Sequence, residues 1–193
     1  MRLLAVTGAV LLSCLSLASA SSALTDDEQA KLMRGETIVK NIKIEGLSGI
    51  EASFFAKAPL EVAYRILADT EQLAAFMPSM KECVILQRGE GYVVVKQIGD
   101  AGELTQRRTA LPPDEIRWTM IHSPGLRNMK GYWHLEALDG GTVLSYGLAV
   151  EPVVPVPSSV VIHFQQQKLP PLVANVRARI ESRGKWTKPE FGR

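Results

Sequence analysis

Between residues 80 and 150, apolar and polar residues alternate in short runs separated by turn-forming residues. Alternation places one face of each run towards a core and the other towards solvent, which is typical of β-strands. Adjacent runs begin about ten residues apart, the spacing of antiparallel hairpins. We predict six strands here, over 82–87, 92–98, 104–110, 115–121, 130–137 and 142–150.

An earlier segment, residues 36–57, alternates in the same way, with Gly46 and Gly49 interrupting it. Glycine inside a strand pattern indicates a bulge or a tight bend. The pattern therefore predicts either one long bent strand or two short strands.

The region before this segment predicts a short helix. Thr25 and Glu28 have the spacing of a capping box, and Gly35 suits the position just after a helix. Residues 21–35 are thus expected to form a peripheral N-terminal helix.

Two more short helices are predicted after the first strand segment. Pro59 suits a helix start. Asp69 and Gln72 have the spacing of a second capping box, and Pro78 is expected to end the helix that they open.

A long helix is predicted at the C-terminal end, from Ser158 to about residue 183, with an apolar stripe along one face. Pro170 and Pro171 fall inside it and must kink or break it, either as a packing irregularity or as a hinge. Strands in hairpins together with segregated helices predict an α+β fold, in which this helix packs on the sheet.

The first twenty residues predict a signal peptide. Arg2 precedes an apolar run that ends in Ala18-Ser19-Ala20, which has the form of a cleavage site. We expect export, to the periplasm. Two alternatives stay open, a lipoprotein anchored through Cys14 and an uncleaved membrane anchor.

Composition mainly excludes other classes of protein. The 193 residues are 46% hydrophobic and carry a net charge of +2, which fits one globular domain and argues against nucleic-acid binding. Two cysteines and three histidines are too few and too scattered to predict a zinc site. Phosphate-binding glycine motifs are missing. We expect no cofactor.

Several motifs carry a resemblance to a known superfamily across residues 36–183. They are Ala58-Pro59-Leu60-Glu61-Val62-Ala63-Tyr64, the 69–78 segment ending in Phe76-Met77-Pro78, Gly131-Tyr132-Trp133-His134-Leu135 and Gly141-Thr142-Val143-Leu144-Ser145-Tyr146. In this order they resemble the START lipid-transfer domains, polyketide cyclases and birch-pollen allergen. The most similar branch is the bacterial cyclase/dehydratase group that includes coenzyme-Q-binding proteins.

The resemblance implies a helix-grip fold, in which a curved, seven-stranded antiparallel sheet wraps around the long helix. It also implies an elongated apolar cavity that binds lipids, sterols, quinones or polyketides. Residues 36–183 would form this ligand-binding domain and residues 184–193 a basic C-terminal tail.

Strand alternation, combined with the resemblance, indicates which side chains face that cavity. The expected ligand-binding residues are Phe76, Met77, Trp118, Met120, Trp133, Leu135, Tyr146, Leu148 and Phe164. A solid hydrophobic core is the alternative for the same pattern. Arg107 and His163 are the candidate polar groups of the cavity. No catalytic residue or metal ligand is predicted.

These observations favour an exported binding or carrier protein for a hydrophobic small molecule. The alternative is a cyclase or dehydratase that uses general acid-base chemistry in the same cavity. Residues 168–193 contain seven basic and two acidic side chains, with Trp186 and Phe191 among them. This basic end predicts either contact with an anionic membrane surface or a solvated helix face with a frayed tail.

Overall fold

A computed structural model describes residues 24–191. The predicted signal peptide and Cys14 therefore lie outside the described residues. Four helices, one 3₁₀ turn and eight strands follow one another in this part of the chain. They are α1 (Asp26–Met33), β1 (Ile38–Ile44), β2 (Leu47–Ala56), α2 (Leu60–Ala68), the 3₁₀ turn (Thr70–Gln72), α3 (Leu73–Phe76), β3 (Met80–Gly89), β4 (Tyr92–Gly99), β5 (Gly102–Leu111), β6 (Glu115–His122), β7 (Leu126–Leu138), β8 (Gly141–Pro152) and α4 (Ser158–Glu181).

The described strands form one open antiparallel sheet in the order β1-β2-β8-β7-β6-β5-β4-β3. The six strands predicted from residue 80 onward are confirmed, each a little longer at its ends. The implied count of seven strands is wrong by one, because the segment 36–57 forms a hairpin rather than one bent strand. Glu45 and Gly46 adopt positive φ angles of 47° and 87°, which reverse the chain between β1 and β2.

The two predicted capping boxes have different outcomes. In α1 the Thr25 hydroxyl accepts from the Glu28 amide, and the Glu28 carboxylate accepts from the Thr25 amide. The second box is wrong, since Asp69 makes no side-chain capping bond. Instead, the Gln72 side-chain oxygen accepts a 3.3 Å bond from Arg179 of α4, a long-range contact that replaces the local one.

The main core lies between α4 and the inner face of the sheet. Phe54 of β2 meets Trp133 of β7 edge to face, with ring centroids 6.2 Å apart. The C-terminal half of α4 adds a buried stripe: Leu169, Leu172, Val173, Val176 and Ile180. A smaller cluster on the other face of the sheet buries Leu32 of α1.

Helix α4 is continuous across Pro170 and Pro171, and it begins at Ser158 with Pro157 as the capping residue. Its first half, as far as Lys168, is mostly exposed, whereas its second half is packed on the sheet. Among the helices of residues 24–191, none is both long and apolar enough to cross a membrane.

Candidate functional site

A large cavity lies beneath the exposed first half of α4. Its volume is about 1050 Å³, at the upper end of the range for small-molecule sites. The walls are mainly apolar and come from β2, β8, α4 and the loop after α3. Ile50, Met77, Leu148, Val161 and Leu172 are among the wall residues. This volume and lining suit a lipid-sized apolar molecule.

A smaller chamber of about 320 Å³ adjoins this cavity and reaches deeper towards β5 and β6. Met77, Met80, Tyr146 and Leu148 form walls of both spaces. We call this smaller space the inner chamber. A molecule lying along α4 could therefore extend one end into it.

The inner chamber is lined by an aromatic stack. The Tyr146 ring lies against Trp118 at 5.7 Å between centroids, and against Trp133 at 4.8 Å. These residues come from three neighbouring strands, β8, β6 and β7, whose inner faces the pleat aligns. The stack provides a rigid apolar wall next to the polar groups of the chamber.

Arg108 is the buried charged group of the inner chamber, whose walls also include Asp100. Its side chain is only 6% exposed, and its guanidinium lies 5.8 Å from the ring centroid of Trp118. Nη2 donates to the Leu67 carbonyl oxygen at 3.0 Å, whereas Nε has no partner within residues 24–191. Burial lowers the pKa of Arg108 to about 10, so it stays charged at neutral pH.

Two neutral polar groups share the chamber with Arg108. The side-chain oxygen of Gln106 is buried without a hydrogen-bond partner in the described part of the chain. Burial raises the pKa of Tyr146, whose hydroxyl therefore stays protonated at neutral pH. Buried polar groups normally find partners. Unused hydrogen-bonding capacity at this end of the cavity indicates a place for a polar group of a ligand.

The C-terminal segment 185–191, which we call the strap, closes one side of the large cavity. The Lys188 amide donates to the Ala75 carbonyl oxygen at 2.9 Å, and its Nζ donates to the carbonyl oxygens of Met77 and Met80. Lys188 is only 4% exposed. This part of the predicted basic tail is therefore packed against the domain rather than frayed.

Two carboxylates, those of Asp100 and Glu190, lie at the mouth of the large cavity. Asp100, in the turn between β4 and β5, forms a 3.0 Å ion pair with Lys81, which lowers the pKa of the carboxyl. Glu190 of the strap lies 3.9 Å from the Lys188 ammonium. Within residues 24–191, no three His, Cys, Asp or Glu side chains are grouped so as to hold a metal ion.

The predicted ligand-binding residues fall into four groups. Met77, Tyr146 and Leu148 line both spaces, Trp118 and Trp133 line only the inner chamber, and Phe164 lines only the large cavity. The remaining three belong to the surrounding hydrophobic core rather than to the walls of either space: Phe76, Met120 and Leu135.

Both predicted polar cavity residues are corrected by the structure. Arg107 is exposed on the outer face of β5, where its guanidinium stacks 4.5 Å from the Tyr92 ring centroid. His163 is exposed on α4, 3.0 Å from Gln167, and does not line the cavity. His163 therefore lies on the side of α4 that faces solvent.

The sequence reasoning missed Arg108, although a signal for it was present. Leu104 is an apolar residue of the same strand, and period-two alternation places Gln106 and Arg108 on its face. All three line the inner chamber. Lys188 was missed for a different reason, since its partners lie more than 100 residues away in the sequence.

Solved structures share this fold. A STAR-related lipid transfer protein from Xanthomonas axonopodis is 16% identical with a TM-score of 0.62, covering 75% of this chain and 93% of that one. The Zhui aromatase/cyclase from Streptomyces sp. R1128 is 19% identical with a TM-score of 0.53, covering 76% and 92%. A START superfamily protein from Mycobacterium smegmatis is 19% identical with a TM-score of 0.58, covering 76% and 97%.

At these identities the similarity shows the fold alone, and the predicted helix-grip fold is confirmed. Among curated proteins, no sequence matches the chain significantly. The model of one protein family, described as polyketide cyclase / dehydrase and lipid transport, matches residues 56–177. This match covers more than half of the chain, which therefore belongs to the polyketide cyclase / dehydrase and lipid transport family.

Proposed function

We propose that the protein is an exported carrier that holds one hydrophobic small molecule between the sheet and α4. The observation that carries this proposal is the mainly apolar cavity of about 1050 Å³. A cavity of this size exposes apolar surface, which favours occupation by an apolar ligand. Membership of a family that includes lipid transport supports the same ligand class.

The inner chamber narrows the class of ligand. Arg108 is charged there without an ion-pair partner among the described residues, and its Nε has no hydrogen-bond partner there. A buried charge of this kind is stabilised by an acceptor that enters with the ligand. The ligand is therefore a molecule with a long apolar body and a carboxylate or carbonyl at one end.

A cyclase or dehydratase is the second candidate, because Arg108 and Tyr146 could polarise a carbonyl group in the inner chamber. General acid-base chemistry also needs a base that is unprotonated near neutral pH. Asp100, a carboxylate that borders the inner chamber, is ion-paired with Lys81 at the exposed mouth, and its lowered pKa makes it a weak base. Binding is therefore the function that this geometry favours.

The binding proposal is tested by titrating delipidated protein with a fluorescent long-chain fatty acid and with the corresponding alkane. We expect saturable binding at one molecule per chain, with the fatty acid bound at least about tenfold more tightly. Equal affinities would contradict the role of the polar end. The absence of saturable binding for both probes would contradict the carrier function.

Export belongs to the proposal through residues 1–20, whose pattern is that of a signal peptide. Fractionation of the native cells, followed by intact mass measurement, tests it. We expect a periplasmic protein that lacks the first 20 residues. A protein acylated at Cys14 in the membrane fraction would support the lipoprotein alternative, and a full-length cytoplasmic protein would contradict export.

Contact with an anionic membrane through the basic end has limited support. Arg177 and Arg179 donate to main-chain carbonyl oxygens, as does Lys188, so their charges serve the fold. Arg183 and Lys185 are the exposed basic residues that follow α4 in the described chain. A membrane contact of this kind would depend on those two side chains, together with Lys168 at the mouth.

A further inference from the structure

The rim of the large cavity carries an exposed apolar surface that the fold leaves uncovered. It is formed by the connection from β8 to α4 and by the first turns of α4. Val154 is 68% exposed and Phe164 is 61% exposed. We call these residues together the rim surface: Val153, Val154, Val156, Val160 and Phe164.

The rim surface coincides with an uncharged stretch of the chain. Residues 152–167 contain no Asp, Glu, Lys or Arg, although such residues make up 22% of the sequence. Exposed segments of soluble proteins normally carry charges, and a contiguous apolar patch marks a contact site. The missing charges indicate that the contacted surface is itself apolar.

The rim surface is continuous with the cavity. Val156, Val160 and Phe164 line the cavity and are also exposed to solvent. A ligand that leaves the cavity along these side chains would meet whatever covers the rim. An apolar ligand is stabilised on this route only if the covering phase is also apolar.

We propose that the rim surface docks on a lipid bilayer and inserts its apolar side chains at the boundary between headgroups and acyl chains. This inference rests on the proposed carrier function and names the surface through which the ligand is exchanged. Insertion places the mouth of the cavity against the acyl chains, so the apolar body of the ligand passes without crossing water.

The proposal also predicts the lipid dependence of docking. The rim surface has no cationic side chain within residues 152–167, and Lys168 is the first cation after it, so docking is driven mainly by apolar burial rather than by attraction to anionic headgroups. A soluble protein partner is less well matched, because protein interfaces surround their apolar centre with a polar, charged rim. Vesicles of neutral phosphatidylcholine are therefore a sufficient target.

Co-sedimentation with phosphatidylcholine vesicles tests the proposal, using Val154→Asp as the variant. Val154 lies outside the cavity walls, so this change leaves the ligand site intact. Leu86→Asp is the matched control, since Leu86 is 56% exposed on β3, away from the rim. We expect Val154→Asp to weaken vesicle binding at least about tenfold and Leu86→Asp to leave it within about twofold.

Changing the lipid composition of the vesicles is the second part of this experiment. Adding phosphatidylglycerol to about one fifth of the lipid is expected to change binding by less than about twofold. The proposal is overturned if the protein binds neither kind of vesicle, which would leave a protein partner for the rim. It is also overturned if binding requires phosphatidylglycerol and is lost in Arg183→Glu/Lys185→Glu.

The fatty-acid titration in solution separates this proposal from the carrier function. Wild type and Val154→Asp are expected to bind the fluorescent fatty acid with the same affinity, within about twofold. Failure of the wild type to bind that probe contradicts the carrier function. Failure to bind vesicles, with probe binding intact, contradicts only the docking surface.

Discussion

Arg107 and Arg108 are neighbours in β5 with opposite environments. The Arg107 side chain is solvated and stacks on Tyr92, whereas Arg108 is buried beside Trp118. Burying a charge without a carboxylate costs several kcal/mol unless hydrogen bonds compensate for it. Arg108 has only the bond to Leu67 within the described residues. The inner chamber thus retains a buried charge that lowers the stability of the empty protein. We explain this charge by the proposed role of Arg108 in binding the polar end of the ligand.

Replacing Arg108 separates its contribution to ligand binding from the cost of burying its charge. We expect Arg108→Met to weaken fatty-acid binding by about tenfold to a hundredfold, because the head group loses a charged donor. The same change is expected to raise the free energy of unfolding of the empty protein by about 1 kcal/mol or more, because the uncompensated charge is gone. Probe titration and urea denaturation measure the two quantities.

Arg107→Met is the matched control and is expected to change both quantities little, because Arg107 is exposed outside the cavity. A loss of stability in Arg108→Met with unchanged affinity would show that Arg108 only supports the fold. Equal effects of the two substitutions on affinity would also contradict its role in binding.

The inward or outward orientation of a strand residue was predictable where period-two alternation decides it, and it was not predictable where a choice of face was left open. Trp118 and Trp133 lie on the inward face that alternation in their strands indicates, and their contact with a ligand stays a prediction. The choice of Arg107 over Arg108 ignored the face that Leu104 defines. The prediction for His163 was wrong because neighbouring positions on a helix point in different directions, so that Phe164 lines the cavity and His163 does not.

At the scale of elements, the strap joins the end of the chain to the wall of the cavity. The Lys188 ammonium donates to two main-chain carbonyl oxygens and lies near Glu190, so its charge is better compensated than that of Arg108. Its removal leaves those carbonyls without their donor.

We therefore expect Lys188→Met to lower the free energy of unfolding by about 1–3 kcal/mol. Lys185→Met is the control, since Lys185 is exposed, and we expect a change within about 0.5 kcal/mol. Urea denaturation of both variants checks this. A Lys188 variant as stable as the control would show that the Lys188 side chain contributes no stability to the domain.

Helix α4 carries two prolines where its exposed half meets its packed half. Pro170 has no amide hydrogen, so the Gln166 carbonyl lacks its usual helical donor. We expect Pro170→Ala to restore that bond and to raise the free energy of unfolding by about 1–3 kcal/mol, because Pro170 is exposed and alanine fits there. Urea denaturation measures this change, and a destabilised variant would contradict it.

Elements defined by local pattern were predictable, and those defined by distant contacts were not. The six hairpin strands and the cap of α1 follow from alternation, turns and one capping box. The second capping box failed because Arg179, more than 100 residues further on, bonds to Gln72. The packing of the strap depends on equally distant main-chain carbonyls, which leave no signal in the local sequence.

At the scale of the whole molecule, the two halves of α4 have different roles. The second half is packed on the sheet and holds the core, while the first half covers a space that protein side chains leave unfilled. The sequence could not separate these roles, because an apolar face towards a core and one towards a cavity have the same pattern. Only the three-dimensional spacing of α4 from the sheet distinguishes them.

The central claim is that this space holds one apolar ligand. Native mass spectrometry of the protein, purified under mild conditions from the cells that make it, tests that claim most directly. We predict a bound species heavier than the polypeptide by the mass of one molecule, which organic extraction releases as an apolar compound with a polar end. A single species at the polypeptide mass, unchanged after incubation with a lipid extract, would contradict the claim.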